Sequence, residues 1–172
     1  MKTLFNLDIK NYDESWTPVI RDSARLIYIK DGKVAMIESH KYHYYCFPGG
    51  GIEKSETPIE ALIREAKEEA GLLVDRASIK EFGQVELKEK ADEYHSIFIQ
   101  QNYYYIANCS EKIVKQELDQ YEQNEGFSLT FVKPKDAIYA NLLVTDTTRD
   151  LNAIKRDNQI LALLLEQFQE LN

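Results

Sequence analysis

The amino-acid sequence predicts an α/β fold, a layered α/β/α sandwich around a mixed β-sheet. Three observations lead there. Strand-like segments occur both before and after one strongly marked helix near residues 57–71. An Asp31-Gly32 pair between two apolar runs marks a hairpin. The chain then carries a long helix with an apolar stripe toward its end.

Residues 23–30, SARLIYIK, and 34–39, VAMIES, read as the two arms of that hairpin. A third short strand reaches Phe47, and Pro48-Gly49-Gly50-Gly51 then lets the backbone turn sharply. The marked helix has Thr57 as N-cap, Pro58 in the first turn and Glu60 at the third position, the pattern of a capping box. Gly71 can supply the left-handed residue that ends it. Ile59, Leu62, Ile63, Ala66 and Ala70 form its apolar stripe, and the two alanines permit close approach to a sheet. Residues 79–88 and 96–107 read as strands around a polar turn near Lys90 to Asp92; the second is rich in aromatic and β-branched residues. Another strand is expected at 128–132, a short helix from Pro134 to Ala140, and a last helix from Thr148 to Phe168. On that last helix Leu161, Leu164, Leu165 and Phe168 recur at helical spacing. We expect one domain over residues 1–172, with residues 1–20 as an N-terminal extension outside the core pattern.

The marked helix also carries chemistry. Glu65, Glu68 and Glu69 stand at positions i, i+3 and i+4, within an arc of roughly 100° beside the apolar stripe. Like charges stacked this way weaken an isolated helix. A hard divalent cation, which prefers oxygen ligands, removes that penalty. A main-chain carbonyl from the preceding glycines can join the same shell.

From Gly50 to Leu72 the chain resembles the Nudix hydrolase family, in its MutT-like form. Gly50, Glu56, Arg64, Glu65, Ala66, Glu68, Glu69, Gly71 and Leu72 fill the family box with its spacing, Ala66 being small where a bulkier aliphatic is allowed. The resemblance implies the Nudix fold and hydrolysis of a phosphoanhydride in a nucleoside diphosphate linked to a further group. It implies that Glu65, Glu68 and Glu69 bind Mg²⁺ (or Mn²⁺) with the Gly50 carbonyl, and that Arg64 and Glu56 orient them. Phosphoryl transfer needs positioning and charge neutralisation more than covalent help, which suits these residues. Family members differ in the general base. Glu65 or Glu69 is our first choice, Glu125 the best candidate from a later loop and Glu122 the next.

Arg25 and Arg21 are candidates for phosphate contacts. Tyr45, with Tyr42 and Tyr44, is a candidate for stacking on a base. His40 and His43 fit surface roles, and Tyr103, Tyr104 and Tyr105 fit core packing. Family subgroups carry markers outside the box, and the coenzyme A, ADP-ribose and NADH patterns are not found here; Tyr94 falls late for the dinucleoside polyphosphate pattern. What remains is a generic MutT-like pattern, for which the default substrate is a nucleoside triphosphate, oxidised or non-standard ones included, since pocket residues rather than the box choose the base.

The chain has 172 residues, 44% hydrophobic, and a formal net charge of −8. That charge argues against nucleic acid or an anionic membrane as partner, and leaves a small-molecule nucleotide bridged by metal. Cys46 and Cys109 form no CxxC pair, so neither a zinc site nor a redox motif is indicated. No apolar run is long enough to span a membrane and the start is a poor signal peptide, which reads as a cytoplasmic protein. A homodimer is compatible, with residues 1–20 as an exchanged strand. Two other functions compete: a nucleotide sensor that does not cleave, and an isomerase of the isopentenyl diphosphate type using Cys46.

Overall fold

The computed structural model describes residues 1–146, 148 and 150–171. Twelve strands and four α-helices follow in the order β1 (Thr3–Asp8), β2 (Thr17–Ile20), β3 (Ser23–Ile27), β4 (Ile29–Lys30), β5 (Lys33–Ser39), β6 (Tyr44–Cys46), β7 (Gly49–Gly51), α1 (Pro58–Ala70), β8 (Leu72–Val74), β9 (Lys80–Lys90), β10 (Ser96–Ile106), β11 (Cys109–Ile113), α2 (Gln120–Glu125), β12 (Phe127–Val132), α3 (Pro134–Leu142) and α4 (Leu151–Gln167).

The main sheet is mixed, as expected. Its order is β1-β9-β10-β3-β7, with β2 also on β10. β9 and β10 are antiparallel, whereas β1 on β9 and β3 on β10 are parallel. A second sheet holds β12, β5 and β4, with β6 on the free part of β5. The strand expected over 23–30 is interrupted at Tyr28, because β3 pairs in the first sheet and β4 in the second. Asp31 and Gly32 both take positive φ in the β4–β5 hairpin, the backbone that a two-residue turn requires. Residues 1–20 supply two strands, and β1 pairs with β9 of the same chain.

Layering follows from strand alternation. Leu26, Ile37 and Tyr105 face α1, which packs down through Leu62, Ala66 and Ala70. Their neighbours Ile27, Met36 and Tyr104 face the other way, onto Ile160, Leu161 and Leu164 of α4. Leu165 and Phe168 flank that second core. The capping box of α1 is present in full, and Gly71 takes the left-handed conformation. Of the expected start of the last helix, Thr148 lies in a turn and Arg149 falls outside the described residues; α4 is helical from Leu151. No helix among the described residues is long and apolar enough to cross a membrane.

α4 also carries a buried ion pair that its leucine stripe does not announce. Arg156 is 1% exposed and Asp157 fully buried. Arg156 Nη1 donates to Asn102 Oδ1 at 2.6 Å and to Gln100 Oε1 at 3.2 Å, and Nη2 lies 3.0 Å from Asp157 Oδ1. Asp157 accepts from the Tyr104 hydroxyl at 2.8 Å and from the Phe47 amide at 3.2 Å. Helix α4 is thereby bonded to β10 and to the turn that leads into β7. Removing one member leaves the other charge buried and uncompensated. Asp157→Ala should therefore destabilise the protein by about 3–5 kcal/mol, against about 1 kcal/mol for loss of the α1 cap in Thr57→Ala. Urea denaturation of the two variants beside wild type checks both the values and their order.

Candidate active site

Helix α1 and strand β7 build the site together. Its hub is Arg64. Nε and Nη2 bond the two Glu56 oxygens at 2.6 and 2.8 Å, a bidentate pair. Nη1 reaches Glu65 Oε1 at 2.7 Å and Glu68 Oε2 at 3.1 Å, and Nη2 also donates to the Gly51 carbonyl at 3.1 Å. One guanidinium thus ties the loop before the helix, two carboxylates of the helix and the glycine strand into a unit. The Arg64 hydrogen bonds hold the Glu56 carboxyl down to about 2, well below the usual range.

Gly50 is required by this packing. A Cβ there would lie 2.5 Å from Glu65 Cδ and 2.6 Å from each of its oxygens. The Glu65 carboxylate therefore nests against bare backbone. Glu69, one helical turn on, is 8% exposed and accepts from the Gly49 amide at 2.8 Å. Burial pushes its carboxyl well above the usual range, with the nearby Arg25 charge and the Gly49 bond pulling the other way. Arg25 Nη1 donates to the Gly49 carbonyl at 2.5 Å and the Phe47 carbonyl at 3.3 Å. Arg25 lines the cleft but acts first as a brace for the glycine turn.

Beside these groups opens a cleft of about 390 Å³, lined by Gly49, Gly50, Gly51 and Glu69 on one side and by aromatic and α4 residues on the other. Arg21 lines it against Gly51 and also borders a larger adjoining cleft of about 840 Å³.

Two expected residues fall elsewhere. Tyr45 faces away from the cleft, because alternate strand residues point to opposite faces and it is Tyr44 and Cys46 that line it. Tyr45 packs on the α4 side of the core, and its amide donates to Asn141 Oδ1 at 2.7 Å. Glu125 is 2% exposed and stands behind the cleft wall, where its Oε2 accepts from the Tyr44 hydroxyl at 2.9 Å and from Ser39 at 3.0 Å. Glu122 is the residue of this segment that reaches the site. Its Oε2 accepts from the Asp119 amide at 2.8 Å, its charge acts on Glu69, and burial raises its carboxyl. The segment is not a loop but helix α2, with a capping box from Asp119 to Glu122 and Gly126 as its C-cap. That Asp-x-x-Glu spacing was the signal available in the sequence. Tyr103, Tyr104 and Tyr105 are core residues, and His40 is an exposed partner of Ser128 at 2.9 Å.

Do these residues fit a divalent cation? The donor set is oxygen only, which suits a hard ion. The Glu65 carboxylate lies against the bare backbone of Gly50. Burial raises the Glu69 carboxyl, with the charges of Glu122 and Glu65 adding to that and Arg25 opposing it. Among the described residues no three such side chains converge as a finished cage, since Arg64 holds Glu65 and Glu68. The chemistry fits, with Arg64 as the charge that now balances two of the donors.

The family model described as NUDIX domain matches residues 20–155. The chain belongs to the NUDIX domain family. Over 43 residues it is 42% identical to the 8-oxo-dGTP diphosphatase of Proteus vulgaris, 25% of this chain and 38% of that protein. Over 42 residues it is 48% identical to the RNA pyrophosphohydrolase of Halorhodospira halophila, 24% of this chain and 23% of that protein. The matches thus span well under half the length of these curated relatives. A MutT structure described for Aliivibrio salmonicida and Vibrio cholerae superposes with a TM-score of 0.56 at 16% identity, covering 87% of this chain and 100% of that one. That likeness is one of fold, and the fold is the Nudix fold.

The Glu56–Arg64 pair makes stability of this Nudix domain acid-sensitive. Arg64 holds the folded Glu56 carboxyl down to about 2, from an ordinary value of 4.5. Its contribution is present above the unfolded value and is lost as pH falls from about 4.5 through about 2. Urea midpoints measured from pH 6 to pH 2.5 should fall less steeply for Glu56→Gln than for wild type.

Proposed function

We propose that this Nudix domain is a metal-dependent pyrophosphohydrolase. It cleaves a phosphoanhydride bond in a nucleoside diphosphate linked to a further group, with a nucleoside triphosphate as default substrate. The observation that carries this reading is that Glu69 of the α1 carboxylate set and the glycine strand line a cleft large enough for a nucleotide portion. Glu65, Glu68 and Glu69, with the Gly50 carbonyl, would hold Mg²⁺ or Mn²⁺. Bound there, such an ion neutralises phosphate charge and lowers the pKa of a water.

The chain's own residues divide the remaining work. Arg64 keeps the carboxylates in place through Glu56 and Gly51. Glu69 is the residue best suited to take a proton, since it is buried at the cleft and burial raises its carboxyl. Arg21 borders the cleft without a side-chain ion pair among the described residues, so it can meet phosphate oxygens. Cys46 suits the isomerase reading poorly. Burial, with Glu69 and Asp157 nearby, pushes its thiol up rather than toward thiolate.

Product release from canonical and oxidised nucleoside triphosphates, ADP-ribose, dinucleoside polyphosphates and sugar nucleotides tests the reading. Cleavage should require Mg²⁺ and cease in EDTA. Glu69→Gln should lower kcat by about 10²-fold or more, and Arg64→Ala by about 10- to 100-fold. Tight nucleotide binding with no cleavage of any substrate would favour the sensor instead.

A further inference from the structure

The cleft floor carries a polar group that neither metal nor phosphate binding uses. Gln100 lies on β10, lines the cleft and is 9% exposed. Its Oε1 accepts from Arg156 Nη1 at 3.2 Å. A guanidinium only donates, so this bond fixes which end of the amide faces inward. Nε2 is left without a partner among the described residues, and it is not sealed from the cleft.

The orientation resists reversal. Turning the amide over would set its NH₂ against a buried guanidinium, donor against donor. Arg156 is itself immobilised by Asp157 and Asn102. The cleft around Gln100 is mixed, with Arg156 and Asp157 on one side and apolar side chains on the other. Phe98 shares its strand face two residues away, and Tyr121, Ala153 and Ile154 line the same cleft. Aromatic and aliphatic walls with a donor at the floor suit a flat heteroaromatic ring that presents an acceptor on its edge. They do not suit phosphate, whose charge Arg21, against Gly51, and a cation on the α1 carboxylates would meet.

We propose that Gln100 is a specificity-determining residue that donates from Nε2 to an exocyclic carbonyl oxygen of the nucleobase. The substrates are then nucleotides with a 6-oxo purine or 4-oxo pyrimidine. Adenine and cytosine place an amino donor at that position and leave the fixed Gln100 donor unpaired, which a buried polar site penalises strongly. This inference rests on the nucleotide reading of the cleft given above, but not on hydrolysis.

The test is calorimetric binding of IMP and AMP to the full chain in EDTA, so that no turnover enters the measurement. The two ligands match in charge and size and differ at the purine 6-position. UMP and CMP form a second pair that needs no variant. Wild type should bind IMP over AMP, and UMP over CMP, by about tenfold or more. Gln100→Leu should abolish the preference, and Gln100→Glu, which keeps an acceptor for Arg156 and offers another to the cleft, should turn it toward AMP. Equal affinities in wild type, a preference for AMP, a preference that survives in Gln100→Leu, or no binding of either ligand would each overturn the proposal. An oxo preference in binding together with no cleavage of any nucleotide would sink the hydrolase reading and leave this one standing.

Discussion

The guanidinium of Arg64 is the interaction on which the site depends. Its donors are spent on Glu56, Glu65, Glu68 and the Gly51 carbonyl. Glu65 and Glu68, like charges on one helical arc, would otherwise push apart and strain the helix they sit on. With Arg64 between them, the loop, the helix and the glycine strand hold one another in register. The same bonds explain why Gly50 carries no side chain: the carboxylate that Arg64 holds occupies the volume a Cβ would need. Lysine could not replace this arginine, since a single ammonium cannot form a bidentate pair with Glu56 and still bridge the other groups.

A second arginine governs the opposite wall. Arg156 and Asp157 bond α4 to β10 and to the Phe47 amide, one turn of chain before the glycine strand. Arg25 braces the same turn from β3. The cleft thus lies between two rigid polar assemblies, one that gathers negative charge and one that fixes the orientation of neutral donors and acceptors. Buried pairs of this kind contribute little net stability over an apolar core of equal shape, but they are costly to break. A fixed cleft geometry is what they supply here, and positioning is what phosphoryl transfer requires.

Much of this was legible in the sequence, and the limits are instructive. The α1 helix could be read from Thr57 to Gly71 because its caps, stripe and carboxylates are all local in the chain. The hairpin at Asp31-Gly32 was equally local. Strands β8 and β11 were not read, and residues 1–20 were read as one exchanged strand rather than as β1 and β2, because the pairing partners lie far away in sequence. Tyr45 was misplaced because a run of three tyrosine and histidine neighbours does not show which side of a strand meets the cleft. Glu125 was favoured over Glu122 for its nearness to β12, whereas the Asp119–Glu122 capping box marked a helix that buries Glu125 and places the Glu122 carboxyl at its N-terminal cap. Arg156 and Gln100 carry no pattern at all. Their meaning arises only when α4 crosses β10.

The central claim is that α1 presents its carboxylates as one cation site on this frame. Electron paramagnetic resonance titration with Mn²⁺ tests it most directly, without any substrate. The account predicts saturable binding by wild type, weakened about tenfold or more in each of Glu65→Gln, Glu68→Gln and Glu69→Gln, and unchanged in Glu125→Gln, whose carboxyl lies behind the wall. Wild-type protein that leaves the Mn²⁺ spectrum unaltered, or α1 variants that bind as tightly as wild type, would contradict it.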